Sequence, residues 1–111
     1  MQISVTSRNL DLPEPTKDEA VRKLSRVEKV YDRFINMEIT FSEDSNARGD
    51  NTVTCDVDLH AKGHYLRASG TGPDPMTACD QAEGRLTRQV RKLKTKLVEK
   101  PRLAAAEGGI G

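Results

Sequence analysis

The sequence contains no tryptophan, and its 111 residues include only two tyrosines and two phenylalanines. With so few rings (Tyr31, Phe34, Phe41 and Tyr65), a surface that grips nucleic acid by stacking unpaired bases is not expected. No apolar run approaches the length of a membrane span, and the opening Met1-Gln2-Ile3-Ser4-Val5 lacks the basic start and apolar stretch of a signal peptide. A cytoplasmic location without membrane attachment is therefore expected. Only two cysteines occur, Cys55 and Cys79, both at inward-facing positions, and they are expected as free thiols in a reducing compartment. Catalytic signatures are missing as well. His60 and His64 flank an expected turn with no third ligand, His-Glu-x-x-His is absent, Gly70-Thr71-Gly72 lacks the lysine of a phosphate loop, and Ser42 and Ser69 fall in no nucleophile motif. The expectation is a protein that is not an enzyme, with no catalytic, cofactor-binding or metal-binding residues.

What the chain has instead is segregated charge. The net charge is only +1, yet residues 85–97 carry six basic and no acidic residues, whereas residues 34–73 carry six acidic and three basic ones. That division predicts a molecule with one positive side. At 12.3 kDa, with 35% hydrophobic residues, the chain has room for one domain with a modest core.

Periodicity supplies the elements. Residues 1–7 alternate as a half-buried strand, and Pro13 and Pro15 mark a connection. Thr16 followed by Glu19 resembles a capping box, so a first helix is expected from Thr16 to about Arg33, burying Ala20, Leu24, Val27 and Tyr31. In 35–42, Ile35, Met37, Ile39 and Phe41 are expected to face inward. A polar loop over Glu43–Asn51 precedes a third strand with Val53, Cys55, Val57 and Leu59 inward. Ala61-Lys62-Gly63 turns into a fourth strand from His64 to about Gly70, with Leu66 and Ala68 buried and Tyr65 and Arg67 on the open face. Asp74 then caps a long helix with Pro75 at its first position. Met76, Cys79, Ala82, Leu86, Val90, Leu93 and Leu97 form its apolar stripe. Each element has one apolar face, and a two-layer sandwich buries all of them together. The expected fold class is α+β: a βαβββα sandwich, a four-stranded mixed sheet with both helices on one face.

The helices then carry the functional expectation. Arg22, Arg26, Lys29 and Arg33 recur at intervals of four, three and four residues, opposite Leu24. Arg85, Arg88, Lys92 and Lys96 form a second stripe, widened by Arg91 and Lys94. Two basic rows side by side suit the phosphates of structured RNA or DNA, with arginine forks gripping oxygens in two directions. The plain alternative is a solvated charged face. Against it stand the arginine content and the absence of compensating acids over three turns of the second helix. Tyr65 and Arg67 are additional candidate contacts.

Several segments resemble the ribosome hibernation promoting factor family, also called ribosome-associated inhibitor or protein Y. They are Ile3-Ser4-Val5-Thr6-Ser7-Arg8-Asn9-Leu10, Lys23-Leu24-Ser25-Arg26-Val27-Glu28-Lys29-Val30-Tyr31-Asp32-Arg33, Asp74-Pro75-Met76-Thr77-Ala78-Cys79-Asp80, and Leu86-Thr87-Arg88-Gln89-Val90-Arg91-Lys92-Leu93-Lys94. Ser7 stands where a glycine is usual in that family. The resemblance implies a ribosome-binding βαβββα domain over residues 1–98, followed at 99–111 by a flexible tail or truncated linker. It further implies a non-catalytic translation inhibitor, active in hibernation, that binds the small ribosomal subunit and its rRNA in the tRNA and mRNA channel, with no role for DNA. The candidate rRNA contacts are Arg22, Lys23, Arg26, Lys29, Arg33, Arg85, Arg88, Arg91, Lys92 and Lys96. Long members of that family carry a C-terminal domain that pairs two ribosomes, so ribosome dimerisation is expected only if such a domain is missing from this sequence. Two other functions remain open: a general double-stranded RNA-binding module, and a protein-interaction or dimerisation domain using the open sheet face or an edge strand.

Overall fold

The computed structural model describes residues 1–45, 49 and 51–99, with the side chains of 98 and 99 undescribed. Its elements are β1 (Gln2–Arg8), α1 (Glu14–Leu24), a 3-10 segment (Ser25–Lys29), β2 (Phe34–Ser45), β3 (Asn51–Ala61), β4 (His64–Gly72), α2 (Pro75–Lys94) and a π-helical turn (Thr95–Glu99). The sheet order is β1-β2-β3-β4. β1 pairs with β2 in parallel, and β2–β3 and β3–β4 are antiparallel. The βαβββα order and mixed four-stranded sheet are those the periodicity predicts. The tail expected at 99–111 lies, after Glu99, outside the described residues, as does much of the centre of the Glu43–Asn51 loop.

One layer of side chains joins sheet and helices. Phe41, Met37, Ile39, Leu59, Val53 and Val57 from the strands meet Leu24, Val27, Leu86 and Val90 from the helical side, all essentially without solvent contact. Each such side chain contributes about 1.5–3 kcal/mol by leaving water. Helix α2 lies on β4 and β3 and against α1, while α1 barely reaches β1. The seat of α2 requires a glycine: a Cβ at Gly70 would stand 2.2 Å from the Ala78 carbonyl oxygen and 2.5 Å from the Ala82 nitrogen. Cys55, opposite Gly70 on β3, and Cys79 on α2 are free thiols buried in that seam. A hydrogen bond to Cys79, together with burial, pushes the Cys55 thiol well up from its ordinary value.

Several local features depart from the periodicity. Leu97, expected in the α2 stripe, is 40% exposed in the turn beyond the helix, and Tyr31 is only partly buried. Residues 43–45, expected in the loop, pair with 51–53 as strand. Ile35 faces outward and is 58% exposed, while Phe34 is buried. An irregularity between Phe34 and Asn36 in the β2–β3 register accommodates the change of parity. The larger ring takes the interior position and gains an edge-on contact with Tyr31, centroids 5.3 Å apart. The first helix also differs: α1 begins after Pro13 without a side-chain cap, so Thr16 and Glu19 form no capping box. It ends at Leu24 rather than continuing regularly to Arg33. There the Ser25 hydroxyl donates to the Arg22 carbonyl at 3.1 Å, a back-bond that competes with helical pairing, and the chain tightens into the 3-10 segment. Helix α2 starts as its sequence predicts, with Thr77 N–H donating to Asp74 Oδ1 at 2.8 Å and the Thr77 hydroxyl to Oδ2 at 3.1 Å. These bonds hold the Asp74 carboxyl below its ordinary value of 3.8.

Candidate nucleic-acid interface

Both rows of cations lie on the helical side, but the structure divides them into paired and unpaired groups. Arg22 is bound to Glu19 on its own helix at 2.9 Å. Lys23 and Arg26 reach across to α2, to Asp80 at 2.7 Å and Glu83 at 3.5 Å. The Asp80 hydrogen bond raises Lys23 above its ordinary 10.5. These residues therefore brace α1 against α2 as well as presenting charge. The tightened 3-10 segment brings Arg26 and Lys29 nearly into line, whereas Arg33 lies beyond it in the link to β2, so the four-residue stripe is not one helical row.

On α2 the division runs along the axis. Arg85 Nη1 donates to the Ser69 carbonyl at 2.7 Å, Gln89 Nε2 to the Arg67 carbonyl at 2.7 Å, and Gln81 Oε1 accepts from the Thr71 N–H at 2.8 Å. One turn apart, these three side chains seal alternate backbone groups along the free edge of β4. Beyond them Arg88, Arg91, Lys92 and Lys96 are exposed, and Arg88 Nε also contacts the Gly84 carbonyl at 3.5 Å. Among the described residues, none of these four has a carboxylate within ion-pair distance, and the same holds for Lys29 and Arg33.

At this end of the helical layer an open cleft of about 670 Å³ is lined by Lys29, Arg33, Lys62, His64 and Lys94, together with Tyr31 and the carboxylates Glu28 and Asp32. The fold thus brings the end of the first helical stretch, the β3–β4 turn and the last turn of α2 to one place. Lys62 was not among the sequence candidates, because a lysine in Ala61-Lys62-Gly63 looks like an ordinary turn residue; only the antiparallel register carries it next to α2. Tyr65 and Arg67 lie on the opposite, open face of the sheet, both bonded to Asp58, at 2.7 and 3.3 Å. Tyr65, at the sheet edge, also borders a groove of about 280 Å³ shared with Gln89, Lys92 and Lys96 of the helical side. The tyrosine's hydrogen bond to Asp58 raises its hydroxyl above the ordinary 10.0.

Among the described residues no three His, Cys, Asp or Glu side chains gather to hold a metal ion, and no helix is long and apolar enough to cross a membrane. A family model described as "Sigma 54 modulation protein / S30EA ribosomal protein" matches residues 3–98. The chain belongs to this family. Its S30EA relatives include the ribosome hibernation promoting factor of Escherichia coli K12, 29% identical over 97 residues, covering 87% of this chain and 97% of the relative. The ribosome hibernation promotion factor of Deinococcus radiodurans is 29% identical over 100 residues, 89% of this chain, which spans only 52% of that longer relative. Among solved structures, a ribosomal subunit interface protein from Coxiella burnetii superposes with a TM-score of 0.74 at 23% identity, covering 86% of this chain and 100% of that one. The Thermus thermophilus protein Y N-terminal domain superposes at 0.69 and 22% identity, covering 84% of this chain and 99% of that one. Both share the fold described above. Membership of the S30EA family, with homologues named as ribosome hibernation factors, is the identity that the resemblance in the sequence predicts.

Proposed function

We propose that this protein is a non-catalytic, cytoplasmic translation inhibitor that binds the small ribosomal subunit in the tRNA and mRNA channel during hibernation. In this reading the unpaired cations of the helical side rest on rRNA phosphates. The observation that carries it is the acid-free far half of α2, where Arg88, Arg91, Lys92 and Lys96 adjoin the cleft of Lys29, Arg33, Lys62 and Lys94. Such a surface recognises the spacing of phosphates rather than a base sequence. Arg22, Lys23, Arg26 and Arg85 are already engaged within the protein, and their part is to set the helices at a fixed spacing while adding to the field. Family membership and the names of the relatives support the ribosome as the partner.

The test is sedimentation with purified subunits, with and without tRNA. The protein is expected to travel with the small subunit, to be displaced by rising salt, and to compete with tRNA. Arg88→Glu combined with Lys92→Glu should weaken binding at least about a hundredfold, since each reversed contact loses attraction and adds repulsion. Asp56→Asn, on the sheet face, should leave binding unchanged. Equal sedimentation of the charge-reversed protein would sink the proposal. Displacement by a plain RNA duplex as readily as by tRNA would replace it with a general double-stranded RNA-binding module.

A further inference from the structure

The sheet face turned away from the helices carries side chains that the rRNA reading leaves unused. The strand register sets Asn36, His60 and Tyr65 side by side across β2, β3 and β4, and the irregularity in β2 delivers Ile35 beside them. Ile35 is 58% exposed and Tyr65 55%, and with His60 they line a shallow cleft of about 570 Å³ at the β3–β4 turn end. Strand irregularities that re-aim a side chain are commonly features of working surfaces, and this one puts an isoleucine in water. Tyr65 is held in place. Its hydroxyl donates to Asp58 Oδ1 at 2.7 Å and its ring rests 4.7 Å from the His60 ring. An aromatic ring that is already ordered loses little further freedom when a partner covers it.

Charge decides what the partner is. One row along the sheet, Glu38 stands directly opposite Asp58, and in the row after that Asp56 stands opposite Thr40. Like charges directly opposite on an antiparallel pair repel. Arg67 answers Asp58 at 3.3 Å, but among the described residues no cation lies within ion-pair distance of Glu38. Lys62, at the turn, is the cleft's one basic residue apart from the histidines. An RNA backbone would meet these carboxylates unfavourably. A guanidinium fits: it can stack on the Tyr65 face and pair with Glu38, while an adjoining apolar side chain covers Ile35.

We propose that Ile35, His60, Tyr65 and Glu38 form a docking site for a basic protein segment that presents an arginine beside an apolar side chain. The site lies on the open sheet face and adjoins the cationic surface at the β3–β4 turn. There Lys62 and His64 border both clefts, and Tyr65 borders a groove with Lys92 and Lys96, but none of the site's four residues is a cation assigned to rRNA. To test it, the isotope-labelled full chain is titrated at physiological salt with a short synthetic peptide alternating arginine and leucine. A matched glutamate and leucine peptide and a short oligouridylate serve as parallel probes. The arginine peptide is expected to shift the amide signals of Ile35, Glu38, His60 and Tyr65. Ile35→Ser with Glu38→Lys should weaken that binding about tenfold while the α2 signals and the melting temperature hold. Tyr65→Leu, which keeps an apolar side chain and removes the ring, should weaken it less. The proposal is overturned if the arginine peptide shifts only other regions, if the double variant binds it equally well, or if oligouridylate or the glutamate peptide shifts the patch as strongly. Concentration-dependent self-association that moves these same signals without peptide would assign the face to a second copy and overturn it as well.

Discussion

On the β4 side of the sheet, α2 approaches until Gly70 has no room for a Cβ, and three of its side chains close the strand's free edge. On the β1 side, α1 makes slight contact, Ile3 and Val5 are only partly covered, and the helix gives way to a tighter 3-10 segment. The cations follow the same division. Those near α1 are mostly tied to carboxylates, and those on the far half of α2 are not. Under the proposed function, a surface matching fixed phosphate spacings gains from standing on the firmly seated element. The looser helix contributes mainly by bracing it and by delivering Lys29 and Arg33 to the end cleft.

The most severe way to break this contrast is Gly70→Ala. The added methyl group would meet main chain rather than the end of a flexible side chain, so α2 must lift from β4. A loss of about 3 kcal/mol or more is expected in urea unfolding. An alanine at the open Gly84 on the outer side of the same helix should instead stabilise by about 0.5–1 kcal/mol. A Gly70→Ala protein as stable as the parent would show that the seat is not tight. A finer probe compares single neutralisations. Arg91→Gln, removing an unpaired charge, should flatten the salt dependence of subunit binding by about one logarithmic unit. Arg26→Gln, removing a charge already answered by Glu83, should flatten it by clearly less. Identical slopes would erase the distinction between paired and unpaired cations. The smallest effect concerns the starts of the helices. Asp74 is depressed below 3.8 in the folded protein, so its charge stabilises α2 at all pH values above its unfolded value, and that contribution fades as pH falls through the lower folded value. Asp74→Ala should therefore lower the melting temperature by a few degrees at neutral pH and by progressively less in acid. Glu14, in the first turn of an α1 that lacks any side-chain cap, should show a weaker effect when changed to alanine. A pH-independent Asp74→Ala deficit would contradict the cap's charge as its source.

Much of this arrangement was legible in the sequence. The alternation of β3 and the apolar stripe of α2 as far as Leu93 each have a single reading, and Asp74-Pro75 announces the helix start. Leu97, which continues the stripe by spacing, falls instead in the π-helical turn and is exposed. The parity of β2 was not legible, because Phe34 and Ile35 are both apolar and only the Tyr31 contact and the strand register favour the ring. Nor was the end of α1, which no glycine or proline marks and at which a serine back-bond sits. The candidate interface was legible as composition but not as electrostatics. Lys23 and Asp80 are 57 residues apart, and no local pattern reveals that one offsets the other. Lys62 joins the cleft only through tertiary folding.

The two thiols in the seam between β3 and α2 give the molecule a built-in clock. Cys55 and Cys79 have no exposed surface, so a thiol reagent can mark them only in the moments when the helix is off the sheet. The rate of labelling then counts those excursions, and a partner that clamps the helical side would slow the count without touching either sulfur.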